Sequence, residues 1–168
     1  MNKPLLEWSG DFVLNESTMD DTHREFVDLL NRVAASSAED LLASLDEFIA
    51  HTEEHFGQEE RWMREIAFPP LHCHQGEHAN VLEVIREVRK RAADGQAQLG
   101  STLAAAIAEW FPQHATSMDA MLAEFMKRAG YVPGGDNSAV LAKVVAPAAA
   151  TCGSGVESCS HAAPAENS

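Results

Sequence analysis

Eight histidines stand in a chain of 168 residues that has a single tyrosine. Five of them fall with two carboxylates into a pattern that can bind metal. His55 and Glu59 are four apart, as are His74 and His78, and on a helix that spacing puts two side chains on one face about one turn apart. His114 and Asp119 are five apart, and His23 stands alone. Two imidazoles on one helical face can chelate one ion, and a carboxylate with two oxygens can bridge two. Neutral imidazoles with a few carboxylates suit borderline transition metals, iron among them, and suit calcium or magnesium poorly, because those ions want oxygen ligands. A single His–Glu or His–His pair is more often a solvated face or a packed core histidine. The weight lies in four separate segments each supplying a piece. The His114/Asp119 spacing is awkward, since five residues advance an ideal helix by about 500°, roughly 140° past alignment. These two converge only if Asp119 reaches across or the helix is locally distorted. The Glu-x-x-His motif of the carboxylate diiron oxidases does not occur.

The elements that must position these residues are helical. Residues 1–17 carry isolated apolar side chains (Leu5, Leu6, Trp8, Phe12, Val13) and predict an extended arm packed on the domain. Helix one is expected from Ser17 or Thr18, each followed three residues later by an acid in the manner of a capping box, to Ser36-Ser37. Helix two follows Ser37, with Glu39 and Asp40 in its first turn, and Pro69-Pro70 stops it and opens helix three. Helix three closes at Asp94-Gly95. Helix four runs from about Gln98 or Ser101 to Ala129, with Gly130 as its C-cap and Pro112 kinking or interrupting it. No alternating strand pattern occurs, so the expected fold is all-α, an antiparallel up-down four-helix bundle. The bundle and arm take residues 1–131. Residues 132–168 contain no aromatic side chain and are rich in Ala, Gly, Ser and Pro, which predicts a disordered, low-complexity tail, with a short helix possible in the mildly apolar run Ala139–Ala150.

Composition narrows the function. Twelve basic against 26 acidic residues give a net charge of −14, which argues against a nucleic-acid surface and against an anionic membrane face. No run reaches the length of a membrane span, and no signal-peptide pattern opens the chain. Three cysteines, with Cys73 far from Cys152 and Cys159, argue against a disulfide scaffold and for a reducing, cytoplasmic setting.

The ordered motifs resemble the hemerythrin family in its single-domain bacterial form. The resemblance covers about residues 6–130. It is carried by Leu6-Glu7-Trp8, Met19-Asp20-Asp21-Thr22-His23, His55-Phe56-Gly57-Gln58-Glu59-Glu60 with Met63, Phe68-Pro69, His74-x-x-x-His78 and Trp110-x-x-x-His114-x-x-x-x-Asp119. It implies two iron ions in an oxo- or hydroxo-bridged diiron centre that binds dioxygen reversibly, for storage, delivery or sensing rather than catalysis. It further implies that His74, His78 and His114 hold one iron, that His23 and His55 hold the other with a position left open, and that Glu59 and Asp119 bridge the pair. Phe26, Phe56, Trp110 and Phe111 are then expected to wall an apolar oxygen pocket. Two alternatives are a diiron enzyme acting on peroxide or nitric oxide, or repairing iron centres under stress, and a metal-storing bundle without gas chemistry. The sequence departs from the family at Thr22, where a Gln often precedes the first histidine, at Leu14-Asn15, where Val-Gly is common, and at Pro112.

His51, four before His55, is expected either beside the ligands or on the surface. His72 and Cys73 point off the His74/His78 face and are not expected to ligate. Glu60 and Glu65 are expected on a solvated face. Cys152, Cys159 and His161 are expected to have no role, although the tail itself is a candidate handle for a protein partner.

Overall fold

The computed structural model describes residues 3–145. Four helical rods form the bundle: α1 (Ser17–Ala35), α2 (Leu41–Glu65), α3 (Leu71–Ala93), and a fourth made of α4 (Leu99–His114), a wide turn (Ala115–Asp119) and α5 (Ala120–Ala129). Each rod packs on the next and the fourth returns to the first, so the ring closes with up-down connectivity. No strand occurs among the described residues.

The helix ends show where side chains replaced the expected signals. α1 is capped by the Glu16 carboxylate, which accepts the Met19 N–H at 2.7 Å, so Ser17 and Thr18 lie inside the helix rather than before it. Before α2, Ser37 accepts the Asp40 N–H at 3.2 Å and its carbonyl accepts the Leu41 N–H at 3.0 Å. Glu39 and Asp40 therefore occupy the entry turn and not the first turn of the helix. α2 ends at Glu65, ahead of the prolines, through Ala67 in the left-handed region (φ 51°). Pro70 stands at the cap of α3, as the proline pair suggested. Gly130 caps α5 at φ 76°.

The arm is tied down at two points. Asn31 on α1 clamps the Leu6 backbone, accepting its N–H at 3.0 Å and donating to its carbonyl at 2.7 Å. Asp20 accepts the Leu14 N–H at 2.7 Å. Between the clamps the arm makes a tight 3₁₀ turn, Gly10–Phe12, where full extension was expected. Asn15 then adopts φ 59°. Asn is the residue other than Gly that best tolerates this conformation, which explains how it stands where the family commonly has Gly.

The apolar interior falls into two clusters. One contains Phe26, Leu30, Leu45, Phe48, Ile85, Ile107 and Phe111. The other contains Met19, Trp62, Met63, Phe68, Leu122 and Met126. Along each rod the ligand-type residues lie between members of the two clusters, so a polar layer cuts the core at mid-bundle. Past Tyr131, a short helix α6 (Ser138–Val145) with no buried residue overlaps the first part of the run Ala139–Ala150 raised from sequence. Residues 146–168, with Cys152, Cys159 and His161, lie outside the described residues.

Candidate metal centre

All seven ligand-type side chains meet in that polar layer and all are buried, none more than 3% exposed. The five imidazoles present Nε2 to a shared centre. Glu59 divides them: its Oε1 lies 3.0 Å from His55 Nε2 and 3.5 Å from His23 Nε2, whereas its Oε2 lies 3.4 Å from His78 and 3.5 Å from His74. Asp119 repeats the division, with Oδ2 3.3 Å from His23 and Oδ1 3.0 Å from His74 and 3.1 Å from His114. The layer thus holds two ligand groups, His74/His78/His114 and His23/His55, with one oxygen of each carboxylate turned to each group.

Several spacings fit ions better than hydrogen bonds. His114 Nε2 lies 3.1 Å from both His74 Nε2 and His78 Nε2. Ligand atoms at right angles around an ion about 2.1 Å away stand about 3 Å apart. Asp119 Oδ1 is that close to two imidazoles, yet neither Asp119 oxygen has a hydrogen-bond partner. Nine buried polar atoms are left unpartnered among the described residues, and all nine belong to these seven side chains. Five of the nine are imidazole Nδ1 atoms on the far side of the rings, whereas His23 Nε2, Glu59 Oε2 and both Asp119 oxygens face the shared centre; an unpaired buried polar group costs about 1–3 kcal/mol, a cost that a cation held at the centre would offset for these four.

The awkward pair is brought together by distortion of the fourth rod. After α4 the hydrogen bonding changes from the α pattern, in which Ala115 N–H reaches the Phe111 carbonyl, to a π pattern, in which Ala120 N–H reaches the Ala115 carbonyl. The widened turn absorbs one extra residue, and five residues then return Asp119 to the face of His114. Pro112 sits one turn upstream, inside the helix as read from sequence.

The charge states follow from crowding. Burial disfavours a charged His23, but the Asp119 and Glu59 carboxylates outweigh it and raise its pKa from 6.5 to about 10. Burial and the Asp119 charge push Glu59 up, yet His55 and His23 hold it at about 2. Burial lowers His78 to about 3, leaving a neutral donor.

The four aromatic residues expected to form one pocket wall divide between the two groups. Phe26 and Phe111 stack on each other at 4.7 Å and face His55 and His23 edge-on at 5.7 and 5.3 Å. Phe56 lies flat on His78, with centroids 3.8 Å apart and 2° between planes, and it also meets His55 at 5.1 Å. Trp110 stacks on His114 at 4.4 Å. Phe56 and Trp110 therefore brace the three-histidine group, and Phe26 and Phe111 cover the two-histidine group.

Residues around this layer include several that the spacing rules did not single out. Trp110 Nε1 donates to Glu77 Oε2 at 3.4 Å; a half-buried indole needs an acceptor, which is the signal that would have found Glu77. Glu60 is not on a solvated face: it accepts from Gln75 at 2.8 Å and Arg64 at 2.7 Å, and lies 4.0 Å from His78 Nδ1. Glu65 is exposed and accepts from the Tyr131 hydroxyl. His51 Nε2 lies 3.2 Å from the Thr22 carbonyl, linking α2 to the residue before His23. Phe12 of the arm meets Phe111 at 6.1 Å, and Trp8 covers Phe12 at 5.7 Å. His72 is exposed and ligates nothing among the described residues. Cys73 belongs to neither metal-binding group found among the described residues.

A closed four-helix bundle whose midpoint is a histidine cluster spanned by two shared carboxylates defines a class of non-haem metal-binding proteins. Residues 15–126 match the family model described as the hemerythrin HHE cation binding domain. The chain is 47% identical over 127 residues to a bacteriohemerythrin of Ralstonia nicotianae, covering 76% of this chain and 93% of that one. It is 23% identical over 120 residues to a bacteriohemerythrin of Methylococcus capsulatus, covering 68% and 92%. A crystal structure of a hemerythrin mutant superposes with a TM-score of 0.69 at 22% identity, over 74% of this chain and 98% of the other, a likeness of fold. The chain belongs to the hemerythrin family.

Proposed function

We propose that the seven clustered side chains hold a pair of iron ions and that the protein binds dioxygen reversibly. The observation that carries this reading is the division of Glu59 and Asp119, each turning one oxygen to each histidine group. Counting atoms, the three-histidine group offers three nitrogens and two oxygens, and the two-histidine group two nitrogens and two oxygens. The poorer set leaves more coordination space, and it is the one covered by Phe26 and Phe111. When bound, the metal pair supplies the electrons that make oxygen uptake possible and reversible.

The chain's own residues do the rest. Glu59 and Asp119 hold the two groups in register and supply negative charge. His78, neutral through burial, is ready to ligate. Phe56 and Trp110 fix the ring planes of His78 and His114, the role outer partners play for metal-bound imidazoles. Phe26, Phe111 and, behind them, Phe12 keep water from the two-histidine side. That dry wall supports binding rather than turnover, since peroxide or nitric oxide chemistry calls for a proton donor there: of the ring side chains that meet His23 and His55, the one titratable group outside the ligand set is His51, 6.0 Å from His55, and its Nε2 is engaged by the Thr22 carbonyl at 3.2 Å.

The test is an ultraviolet–visible spectrum of the iron-loaded protein, reduced without air, then oxygenated, then purged. Charge-transfer bands that appear with oxygen and vanish on purging are expected. Bound iron with no oxygen-dependent band overturns the reading, and bands that persist after purging shift it to a diiron enzyme.

A further inference from the structure

We propose that Pro112, Thr116 and Ser117 are positioning residues, a set that holds open the wide turn on which Asp119's place in the metal centre depends. The inference rests on the proposed metal-binding role of the cluster. A turn with π-type bonding is poor geometry for a helix and persists only where something compensates it. Here the compensation is local. Pro112 has no N–H, so the Ala108 carbonyl loses its ordinary helical donor, and continued α geometry is disfavoured at that point. One turn further on, the carbonyls of Pro112 and Gln113 each receive a side-chain hydroxyl: Thr116 Oγ1 donates to Pro112 at 2.7 Å and Ser117 Oγ donates to Gln113 at 2.5 Å. Two successive hydroxyls thus bond back four residues along the stretch where the backbone ladder changes from Ala115→Phe111 to Ala120→Ala115. Such back-bonding loosens and bends an α-helix. Thr116 and Ser117 are exposed and touch no ligand, so they act only through the backbone. With the turn relaxed to α geometry, Asp119 rotates away from His114 Nε2, 3.1 Å from its Oδ1, and from His23 Nε2, 3.3 Å from its Oδ2.

The test uses the full chain with cobalt(II), whose visible spectrum reports the ligand set without any oxygen chemistry. Three variants are compared: Thr116→Val with Ser117→Ala, the conservative swap Thr116→Ser with Ser117→Thr, and Pro112→Ala. Removing both hydroxyls is expected to weaken cobalt binding by up to about thirtyfold, the effect of losing two ordinary hydrogen bonds, and to alter the spectrum, while the swap restores both. Pro112→Ala is expected to raise the melting temperature of the metal-free protein and lower its cobalt affinity. A part that merely stiffens the helix moves both quantities the same way. Hydrogen exchange at the Ala120 amide of metal-free protein, expected to change in the double variant, reads the turn without metal. Unchanged exchange and affinity in the double variant, or equal loss in the swap, overturns the proposal. If cobalt behaves as expected and the iron protein shows no oxygen-dependent band, the functional reading fails and this one stands.

Discussion

Metal must displace a proton to enter this centre. In the metal-free protein His23 stays charged up to about pH 10, because the gain from two adjoining carboxylates exceeds the cost of burial. Glu59, held at about 2, is ionised throughout the working range. A ligating imidazole must be neutral. At pH 7 the His23 proton therefore competes with the metal by about a thousandfold, the gap of about three pH units to its pKa, and the handicap shrinks about tenfold per unit as pH rises. His114 is shifted the same way, burial being outweighed by Asp119, and so adds to the pH dependence in the same direction. The sign for stability is opposite. A raised pKa contributes stability that is full below about 6.5 and is lost as pH climbs through about 10, so the metal-free fold weakens across that window while the metal-loaded fold gains. Competition titrations with a chromophoric chelator and zinc, between about pH 6 and about pH 8.5, read the slope. Calorimetry in two buffers of different ionisation enthalpy counts the protons. Affinity flat across this range, with no proton released, refutes the charge assignment of His23.

Other consequences follow from single side chains. His55→Ala and Glu59→Ala should each lower bound iron per chain, measured by metal analysis of purified protein; full occupancy and normal oxygenation in both would remove them from the ligand set. Phe111→Ala should cost about 3–5 kcal/mol in denaturant unfolding, as for other large buried side chains, and should hasten irreversible oxidation of the iron protein by opening the cover over His23. Ala67→Gly should relieve the left-handed strain at φ 51°, raising stability by about 0.5–1 kcal/mol once the added chain entropy of Gly is subtracted, and a melting point that falls would show that the turn carries no strain. Deletion of residues 133–168 should leave metal uptake unchanged, and loss of iron in that variant would give the tail a part in the centre.

What could be read from sequence was what periodicity encodes, and what could not was what depends on a competing local interaction. The spacing of His55 with Glu59 and of His74 with His78 carries its meaning on any helix, so their faces were legible before any fold was known. The spacing of His114 and Asp119 was legible as a contradiction, and only the backbone resolves it, through a widened turn whose cause is itself local: a proline and two hydroxyls. The start of α1 illustrates the same competition, because Glu16 reaches the Met19 amide first and so takes the role expected of Ser17 or Thr18. Glu60 looked solvated because helical spacing reports direction along one rod and not the neighbour it meets, here Gln75 of α3. The aromatic residues divide for that reason too: the stacking of Trp110 on His114 is a contact between residues four apart on one helix and was legible as such, but the flat stacking of Phe56 on His78 is set by how α2 and α3 approach one another. The family resemblance supplied the roles, while the distribution of those roles across the two sides of the cluster is a property of packing. The two-histidine side is consequently guarded by residues from three elements, Phe26 of α1, Phe111 of α4 and Phe12 of the arm, and an arm pinned by Asn31 and Asp20 thereby becomes part of the water barrier.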